Sequence, residues 1–509
     1  MHEDNRVAKD AILKLKNEIE SLKEQFRLFQ HQRFAKDRAV PVQQSDLFFN
    51  EAEMAAEAES TTGEKTGADE VSSDSATVKG YARRRGGRRP LPEHLPRVNV
   101  IHDLPESEKV CPQDGRPLER IGEEVSEQLD IIPAKIQVIR HIRLKYGCRA
   151  CEQAVKTAPL PPQPIPKSNA SPGLLAYIAT AKYVDGLPLY RLEKILDRYG
   201  VEVPRSTSGA WMIRVSELFT PLMNLLRDRL LSSHYLHMDE TTVQVLKEPD
   251  KPPTSTSYFW GLCCGERERP VILFEYDPSR SGGVPLRLLD GFTGTLQTDG
   301  YDGYNAVVRC QGLVHLGCWA HVVRKFQDVL KAQKEPSKTS KASFALNTIK
   351  KLYLIEERLV NATPQARHQE RQDYSLPIVK DLRAWLDKSL PHVPPKSLLG
   401  KALHYMHNEW TKLVRCFDDG RYALDNNKME NAIRPFVIGR NSWLFSDTVN
   451  GAKASATLYS VAETAKANGL EPYAYLRRII KDLPGAKSVE DIEALLPWNI
   501  DKATLAYLV

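Results

Sequence analysis

The chain has 509 residues, long enough for several domains, and 41% of them are apolar, enough to fill real cores. Lys and Arg outnumber Asp and Glu by only 71 to 65, so the chain is not strongly basic overall. No apolar run reaches membrane-spanning length and no secretory leader opens the chain, so we expect a cytoplasmic protein. Its eight cysteines do not make a disulfide scaffold, and in a reducing compartment clustered cysteines indicate metal ligands.

An apolar repeat lies near the N-terminus. Six large apolar residues alternate spacings of three and four, with polar residues between them, which is the pattern of a coiled-coil seam: Ile12, Leu15, Ile19, Leu22, Phe26 and Phe29. We therefore predict a coiled-coil helix over residues 5–36 that assembles protomers into a homo-oligomer. Because the repeat is short, a single amphipathic helix packed on its own domain stays open as the alternative.

Two segments of different charge follow the helix. Residues 37–80 are rich in Ala, Glu, Ser, Thr and Gly, which predicts a disordered acidic linker. Residues 81–97 are rich in arginine, with Glu93 as the only acid. Arginines in an extended arm can lie in a narrow minor groove or along phosphates. We predict DNA contacts, against the alternative of a solvated charge run, for Arg83, Arg84, Arg85, Arg88 and Arg89.

Residues 98–158 are predicted to form a small metal-binding module. The stretches CPQDG and CRAC each hold a pair of potential ligands separated by two residues, and the strand-like stretch IQVIRHIRLKY lies between them. This arrangement resembles a zinc ribbon. The predicted Zn²⁺ ligands are Cys111, Asp114, Cys148 and Cys151. His102 or His141 could replace the aspartate, and three buried thiols without a metal are the structural alternative.

Helical patterns resume after a proline-rich joint. The stretch PLYRLEKILDRYG ends in Gly200, and VEVPRSTSGAWMIRVSELF predicts a turn and a further helix with Ser206 as its N-cap. Helix, short turn and polar-started helix fit a helix-turn-helix. We therefore predict a helical DNA-binding domain over residues 168–225, in which Arg205, Ser206 and Thr207 read DNA. An ordinary helical hairpin is the alternative.

Strand patterns dominate from about residue 234 to 318. They occur in HYLHMDETTVQVL, TSYFWGLCCG, PVILFEYD and GTLQTDGY, between turns rich in Gly and Pro. The first of these strands carries two adjacent acids, Asp239 and Glu240, whose side chains alternate faces. One of them can face the packed side, where an unpaired charge is costly. Helical patterns then return and continue to roughly residue 425.

Three acids stand at positions that suit a metal site. Asp239 is in the first strand, Asp299 ends the fourth, and Glu430 is in the opening turn of a later helix. Three carboxylates at one end of a sheet can hold two Mg²⁺ ions about 3.5–4 Å apart, which serve an in-line displacement at a phosphodiester. The structural alternatives are a strand-end pair with Glu240, a turn-forming Asp, and a capping box with Asn427.

From about residue 97 to the end, the chain closely resembles the DDE transposases of the insertion sequence 66 family. The stretches that carry the resemblance include HMDETTVQVL, LQTDGYDGYN, GCWAHVVRKF and DNNKMENAIRPFVIGRNSWLFSDTVNGAKASATLYSVAETAKANGLEPYAYLRRI. The resemblance implies that Asp239, Asp299 and Glu430 are the catalytic triad, binding Mg²⁺ or Mn²⁺. It favours Asp239 over Glu240, and Asp299 over Asp302.

The resemblance also implies a fold class. We predict an α/β protein whose RNase H-like catalytic core carries a helical insertion before the last acid. A coiled-coil helix, a small zinc-ribbon-like module and a helix-turn-helix-like domain precede the core. We place the core at residues 232–326 and 425–465, the insertion at 327–424 and a C-terminal helical element at 466–509. Many family members have CPxCG where this chain has CPQDG, a departure that bears on Asp114 as a Zn²⁺ ligand.

Other residues near the acids extend the predicted site. Cys318 and His321 lie one turn apart, but two ligands do not make a metal site, so we expect them to pack beside the active site, with His321 or Trp319 near DNA. Trp443 could stack on an unpaired base, although burial is the usual fate of a tryptophan. Neutralisation of phosphates at the bound element end is predicted for Arg434, Arg440 and Lys453.

These expectations define a DNA transposase. It would bind terminal inverted repeats, cleave at them by metal-assisted hydrolysis and join the freed 3′-OH to target DNA. The expected partners are DNA, further copies of the chain and accessory proteins encoded by the same element, and the expected location is the bacterial cytoplasm, at the nucleoid. Two alternatives stay open: a metal-dependent nuclease or integrase that does not mobilise its own element, and a non-catalytic DNA-binding regulator with a decayed core.

Overall fold

A computed structural model describes residues 15–16, 18–29, 136–142, 145–147, 155–157, 159–265, 268–333 and 340–506. Residues 1–39 and 139–509 form one compact unit, to which the description below refers. Of the second unit, residues 40–138, only residues 136–138 are described, and they are exposed. The predicted acidic linker and arginine-rich arm therefore lie outside the described residues.

The described part of the N-terminal segment is helical, as predicted. Residues 15–16 and 18–29, which we call α1, present the five apolar seam residues that the structure describes, Leu15, Ile19, Leu22, Phe26 and Phe29, each more than half exposed. Two side chains of α1 reach the insertion: Ser21 Oγ donates to Lys396 O over 3.0 Å, and Glu24 Oε2 accepts from Leu398 N over 3.3 Å. Protomer assembly through this helix stays a prediction.

A two-stranded antiparallel sheet represents the predicted metal-binding module. Strands β1 (Lys145–Gly147) and β2 (Val155–Thr157) pair with Tyr146 opposite Lys156. The connection between them carries the predicted ligands Cys148 and Cys151, which lie outside the described residues, as do Cys111 and Asp114.

A helical region follows, in helices α2 (Pro172–Tyr183), α3 (Leu189–Arg198), α4 (Arg205–Leu218) and α5 (Thr220–Leu231). Gly200 has a φ of +74°, in the left-handed region, which suits the glycine predicted to end α3. The predicted N-cap of α4 is wrong. Pro204 occupies that position and the helix begins at Arg205, so Ser206 lies within the first turn, because proline's fixed φ suits the residue that enters a helix.

One mixed sheet organises the rest of the chain. Its strands are β3 (Tyr235–Lys247), β4 (Thr256–Cys264), β5 (Ile272–Asp277), β6 (Thr295–Gln297) and β7 (Val314–Leu316), in the spatial order β5-β4-β3-β6-β7. Strands β3, β4 and β5 pair antiparallel, whereas β6 and β7 run parallel to β3. The four predicted strands are confirmed. A short strand β8 (Ser446–Thr448) also pairs with the far end of β3.

A helix close to the C-terminus covers the open edge of β5. In helix α14 (Val449–Ala467), Ser460 Oγ accepts from Phe274 N over 2.7 Å. Thr464 Oγ1 accepts from Ile272 N over 3.0 Å and donates to Ile272 O over 2.8 Å. These hydroxyls take the place of a further strand, because β5 ends the sheet and its outward backbone groups would otherwise be unpaired.

Helices fill the space between β7 and the last predicted acid. A buried ion pair holds this insertion together. Arg371 is fully buried, and its five N–H donors are used on the carboxylate of Glu356 and on the carbonyls of Cys416, Asp419 and Tyr422, all at 2.7–2.8 Å. The pair thereby fixes the segment that leads into the helix bearing Glu430.

The remaining elements complete the unit. They are α6 (Gly283–Leu288), α7 (Tyr304–Gln311), α8 (Trp319–Lys331), α9 (Lys341–Arg358), α10 (Pro364–Glu370), a π-helical turn (Arg371–Ser375), α11 (Leu376–Ser389), α12 (Leu398–Val414), α13 (Asn427–Trp443), α15 (Pro472–Asp482), α16 (Val489–Glu493) and α17 (Lys502–Ala506), with short 3₁₀ turns at Leu390–His392, Arg415–Phe417 and Leu483–Gly485. Among the described residues, no helix is long and apolar enough to cross a bilayer.

Candidate active site

Asp239 lies in β3, opposite Gly261 of β4. Its Oδ1 accepts a hydrogen bond from the backbone N–H of Glu240 over 2.8 Å, and among the described residues no cationic side chain forms an ion pair with it. Burial raises the pKa of Asp239 well above its usual value, and the nearby charges of Glu240, Asp299 and Glu430 raise it further. Within the described part of the chain, the carboxylate therefore sits among other acids without a paired cation.

Glu240 is in the opposite situation, although it is the next residue. Its side chain is 1% exposed, and it accepts hydrogen bonds from Arg280 Nε over 2.7 Å and from the Tyr304 hydroxyl. The Arg280 guanidinium also stacks on the Tyr301 ring, 4.0 Å from its centroid. Glu240 is thus bound by a cation and a hydroxyl, whereas Asp239 has no such side-chain partner among the described residues.

Asp299 comes off the strand next to β3. It follows β6 by two residues, and its Oδ1 accepts from the backbone N–H of Tyr301 over 2.9 Å, which closes the turn. Strands β3 and β6 are parallel with Tyr235 opposite Thr295, an offset of 60 residues, so the register carried onward puts Asp299 level with Asp239. Asp239 therefore lies within β3 and Asp299 just past the end of the neighbouring parallel strand β6, at the same level along the two strands. Asp302 is exposed.

Glu430 is in the first turn of α13, and the residue before this helix fixes its position. Asn426 is fully buried; its Nδ2 donates to Met238 O over 3.0 Å, and its Oδ1 accepts from His237 Nδ1 over 3.0 Å. The start of α13 is therefore tied to the strand segment next to Asp239. The capping-box alternative does not apply, because Asn426 is the N-cap and no side-chain cap bond forms.

Among the residues that the structure describes, Arg324 is the cationic partner of the Glu430 carboxylate. Arg324 Nη2 donates to Glu430 Oε2, while Glu430 Oε1 lies 3.7 Å from His321 Nδ1. Glu430 Oε1 and His321 Nδ1 are both buried and have no hydrogen-bond partner within the described part of the chain. Burial raises the pKa of Glu430, and Asp425 and Asp299 also raise it, whereas the Arg324 charge acts in the opposite direction.

Three different ligand types meet beside the acids. The ligand atoms of Cys318, His321 and Glu430 lie within 4.8 Å of one another, whereas the three acids do not form such a group among the residues that the structure describes. Thiol, imidazole and carboxylate are a donor set that suits Zn²⁺. Burial lowers the pKa of His321 to about 4, and its Nε2 accepts from Arg324 Nη1 over 3.2 Å, so the neutral ring carries its proton on Nδ1.

The other predicted residues divide between core and surface. Trp319 is fully buried at the start of α8 and donates from Nε1 to Leu413 O over 3.0 Å, so of His321 and Trp319 the tryptophan offers no exposed surface to DNA. Trp443 packs on Phe436, with the Lys182 Nζ 5.1 Å from its ring centroid. The four cations predicted to contact DNA in this part of the chain differ in exposure. Arg205 and Lys453 are exposed and Arg434 is half-buried, whereas Arg440 donates to the Thr242 hydroxyl over 2.8 Å.

Comparisons with known families cover most of the chain. The model of the family described as "Transposase IS66 family" matches residues 167–454, more than half of the chain. Three further models match the flanks: "zinc-finger binding domain of transposase IS66" at residues 108–152, "IS66 C-terminal element" at 460–498 and "Transposase C of IS166 homeodomain" at 21–100. The zinc-finger match falls inside the predicted metal-binding module.

Two relatives from Sinorhizobium fredii are similar over most of their length. The uncharacterized protein y4jD is 34% identical over 421 residues, which cover 80% of this chain and 81% of the relative. The uncharacterized protein y4qI is 31% identical over 449 residues, 85% of this chain and 82% of the relative. Taken with the family match across the sheet, the insertion and the helix of Glu430, these similarities show that the chain belongs to the IS66 family of transposases.

Proposed function

We propose that the chain is a DNA transposase that binds the terminal inverted repeats of its element and catalyses phosphodiester hydrolysis and strand transfer at Asp239, Asp299 and Glu430. One observation carries this proposal. Asp239 within β3 and Asp299 just after β6 lie level on neighbouring parallel strands, and the first turn of α13 brings a glutamate into the same electrostatic field. Asp239 has no paired cation among the described residues, which fits a site built for an added cation.

The donor set supports Mg²⁺ or Mn²⁺ as that cation. Carboxylate oxygens are the ligands that these hard ions prefer. Burial raises the pKa values of Asp239 and Glu430, and the neighbouring acids raise them further, so a bound cation would stabilise both carboxylates. When bound at such a site, a pair of divalent ions activates the attacking oxygen and stabilises the leaving oxygen. Asp239, Asp299 and Glu430 would hold the ions, and the Asn426 tie to β3 would keep the two parts of the site in register.

The topology supports an RNase H-like core. Three antiparallel strands followed by two strands parallel to the first, in the order β5-β4-β3-β6-β7, provide the sheet. A helical insertion then separates β7 from the glutamate-bearing α13. We place DNA recognition in the zinc-finger segment, the arginine-rich arm and the exposed start of α4, and assembly of protomers in α1, whose apolar seam is exposed.

The test is cleavage and joining on duplexes that carry the inverted repeats flanking this reading frame. In Mg²⁺, the wild-type chain should nick the ends and join the 3′-OH to a target plasmid. Asp299→Ala should lower both rates by about a thousandfold, since metal-assisted stabilisation is worth several kcal/mol. Asp302→Asn, an exposed acid of the same turn, is the matched control and should leave both rates unchanged.

Each outcome assigns one function. Hydrolysis without joining would favour a nuclease or integrase that does not mobilise its element. Specific DNA binding with no cleavage by the wild-type chain would favour a regulator with a decayed core. Full activity of Asp299→Ala would contradict the proposed triad.

A further inference from the structure

We infer that Arg324 is an internal counter-ion that holds Glu430 against His321 and Cys318, and that a divalent cation must displace this contact to engage the glutamate. The inference rests on the proposed function, because it assigns Glu430 to the metal site. Arg324 competes with the metal ion for Glu430. The structure shows Glu430 bound by Arg324, and we call this contact the latch.

The contacts of Arg324 define the latch. Arg324 and His321 are three residues apart on α8 and therefore lie on one face of the helix. The guanidinium reaches across to α13, where Nη2 donates to Glu430 Oε2, while Nη1 donates to His321 Nε2 over 3.2 Å. One planar cation thus joins the imidazole and the carboxylate, and it holds the Glu430 ligand atoms beside the Cys318 thiol rather than in a common group with Asp239 and Asp299.

The chemistry of the two cations makes them competitors. A guanidinium keeps its positive charge at any ordinary pH, so it cannot leave the site by losing a proton. A divalent ion at Glu430 would share the same carboxylate and would repel a cation already bound to it. Arg324 is 32% exposed and Glu430 21%, so solvent can take up the arginine once it is released.

The position of Arg324 would let it bind DNA once it is released from Glu430. A freed Arg324 would stand at the rim of the acidic site with its donors unused by Glu430, and a guanidinium binds two phosphate oxygens side by side. Metal loading would then convert an intramolecular partner of Glu430 into a DNA contact. The opposite role is an orienting one, in which Arg324 holds Oε2 so that the unpaired Oε1 faces the metal. The two roles predict opposite changes in metal affinity when Arg324 is replaced.

Binding of Mn²⁺ to the full-length protein, followed by the electron paramagnetic resonance signal of the free ion, separates them. Arg324→Gln removes the charge and should tighten Mn²⁺ binding by about threefold or more, which is the order expected when a partly exposed ion pair is lost. Lys331→Gln, at an exposed ion pair with Asp328 on the same helix, is the matched control and should bind as the wild type does. Unchanged or weaker binding by Arg324→Gln would overturn the inference.

A rescue experiment gives a readout that a merely structural role would not move. In Arg324→Ala, guanidinium ion at a non-denaturing concentration should weaken Mn²⁺ binding back toward the wild-type value, and the same concentration of NaCl should not. No difference between the two salts would also count against the latch. Unfolding curves of each variant establish that the chains compared are folded.

Glu430→Gln distinguishes failure of this inference from failure of the proposed function. If Glu430→Gln weakens Mn²⁺ binding and Arg324→Gln does not tighten it, only the latch is wrong. If Glu430→Gln binds Mn²⁺ as the wild type does, Glu430 is not a ligand and the proposed triad fails as well.

Discussion

Two arginine–glutamate pairs in the helical part of the molecule differ in how completely they are satisfied. Arg371 is fully buried and uses all five of its N–H donors, and Glu356 accepts from Arg371 and also from Arg367. The pair of Arg324 and Glu430 is partly exposed, and Glu430 Oε1 has no hydrogen-bond partner in the described chain. A saturated pair supports the fold, whereas an unsaturated one marks a place where a ligand is expected.

Removing the saturated pair should have the largest effect on stability. Arg371→Met leaves the Glu356 charge buried and three carbonyls without their donor, so we expect a loss of about 3–5 kcal/mol in the free energy of unfolding, measured in urea. Glu356→Gln in the same assay should cost less, because the arginine keeps its carbonyl acceptors. Equal stability of Arg371→Met and wild type would contradict the structural role.

The same pair predicts a pH dependence. Burial acts to raise the pKa of Glu356, but hydrogen bonds and charge from Arg371 and Arg367 outweigh it and leave that pKa below its usual value. A lowered folded-state pKa contributes stability above the unfolded-state pKa, and this contribution disappears as the pH falls through the folded-state value. The acid side of the unfolding profile should therefore flatten in Glu356→Gln relative to the wild-type chain.

Adjacent acids of β3 should respond in opposite directions. Glu240→Gln weakens charged hydrogen bonds to Arg280 and Tyr304 and should destabilise the fold by about 1–3 kcal/mol. Asp239→Asn removes a buried charge that no cation of the described residues pairs with, so without divalent ions it should stabilise the fold by about 1–2 kcal/mol. The thermal unfolding temperatures at pH 7, with a chelator present, compare the two directly. A loss of stability in both would contradict this division of roles.

The smallest effect is expected at the unsaturated pair. Arg324→Gln should change the free energy of unfolding by about 1 kcal/mol or less, because solvent screens a partly exposed ion pair. Its effect belongs to metal binding instead. A loss as large as that of Arg371→Met would make Arg324 a structural residue and would remove the contrast between the two pairs.

Much of the sheet could be predicted because apolar and polar residues alternate along its strands, and turns rich in Gly and Pro separate those strands. The strands β3 to β6 were predicted near their observed positions, whereas β8 was not, because Ser446–Thr448 has no apolar alternation. The predicted N-cap of α4 is wrong because a serine is a common N-cap, whereas here Pro204, two residues earlier, enters the helix.

The candidate site was predictable in its acids but not in its contacts. Asp239, Asp299 and Glu430 stand in motifs that could be recognised along the chain. Asn426 and Arg324 have their roles through partners 188 and 106 residues away, which no local spacing reveals. Only the spacing of three between His321 and Arg324 hinted that both face the same neighbour.

The hydroxyls of Ser460 and Thr464 have a consequence for incomplete copies of the gene. A protein that stops before α14 would lose the cover of β5 and expose outward N–H and C=O groups along an apolar strand. Such an edge invites pairing with another chain. We therefore expect interrupted copies of the element to yield insoluble products rather than soluble fragments that compete with the intact protein for DNA ends.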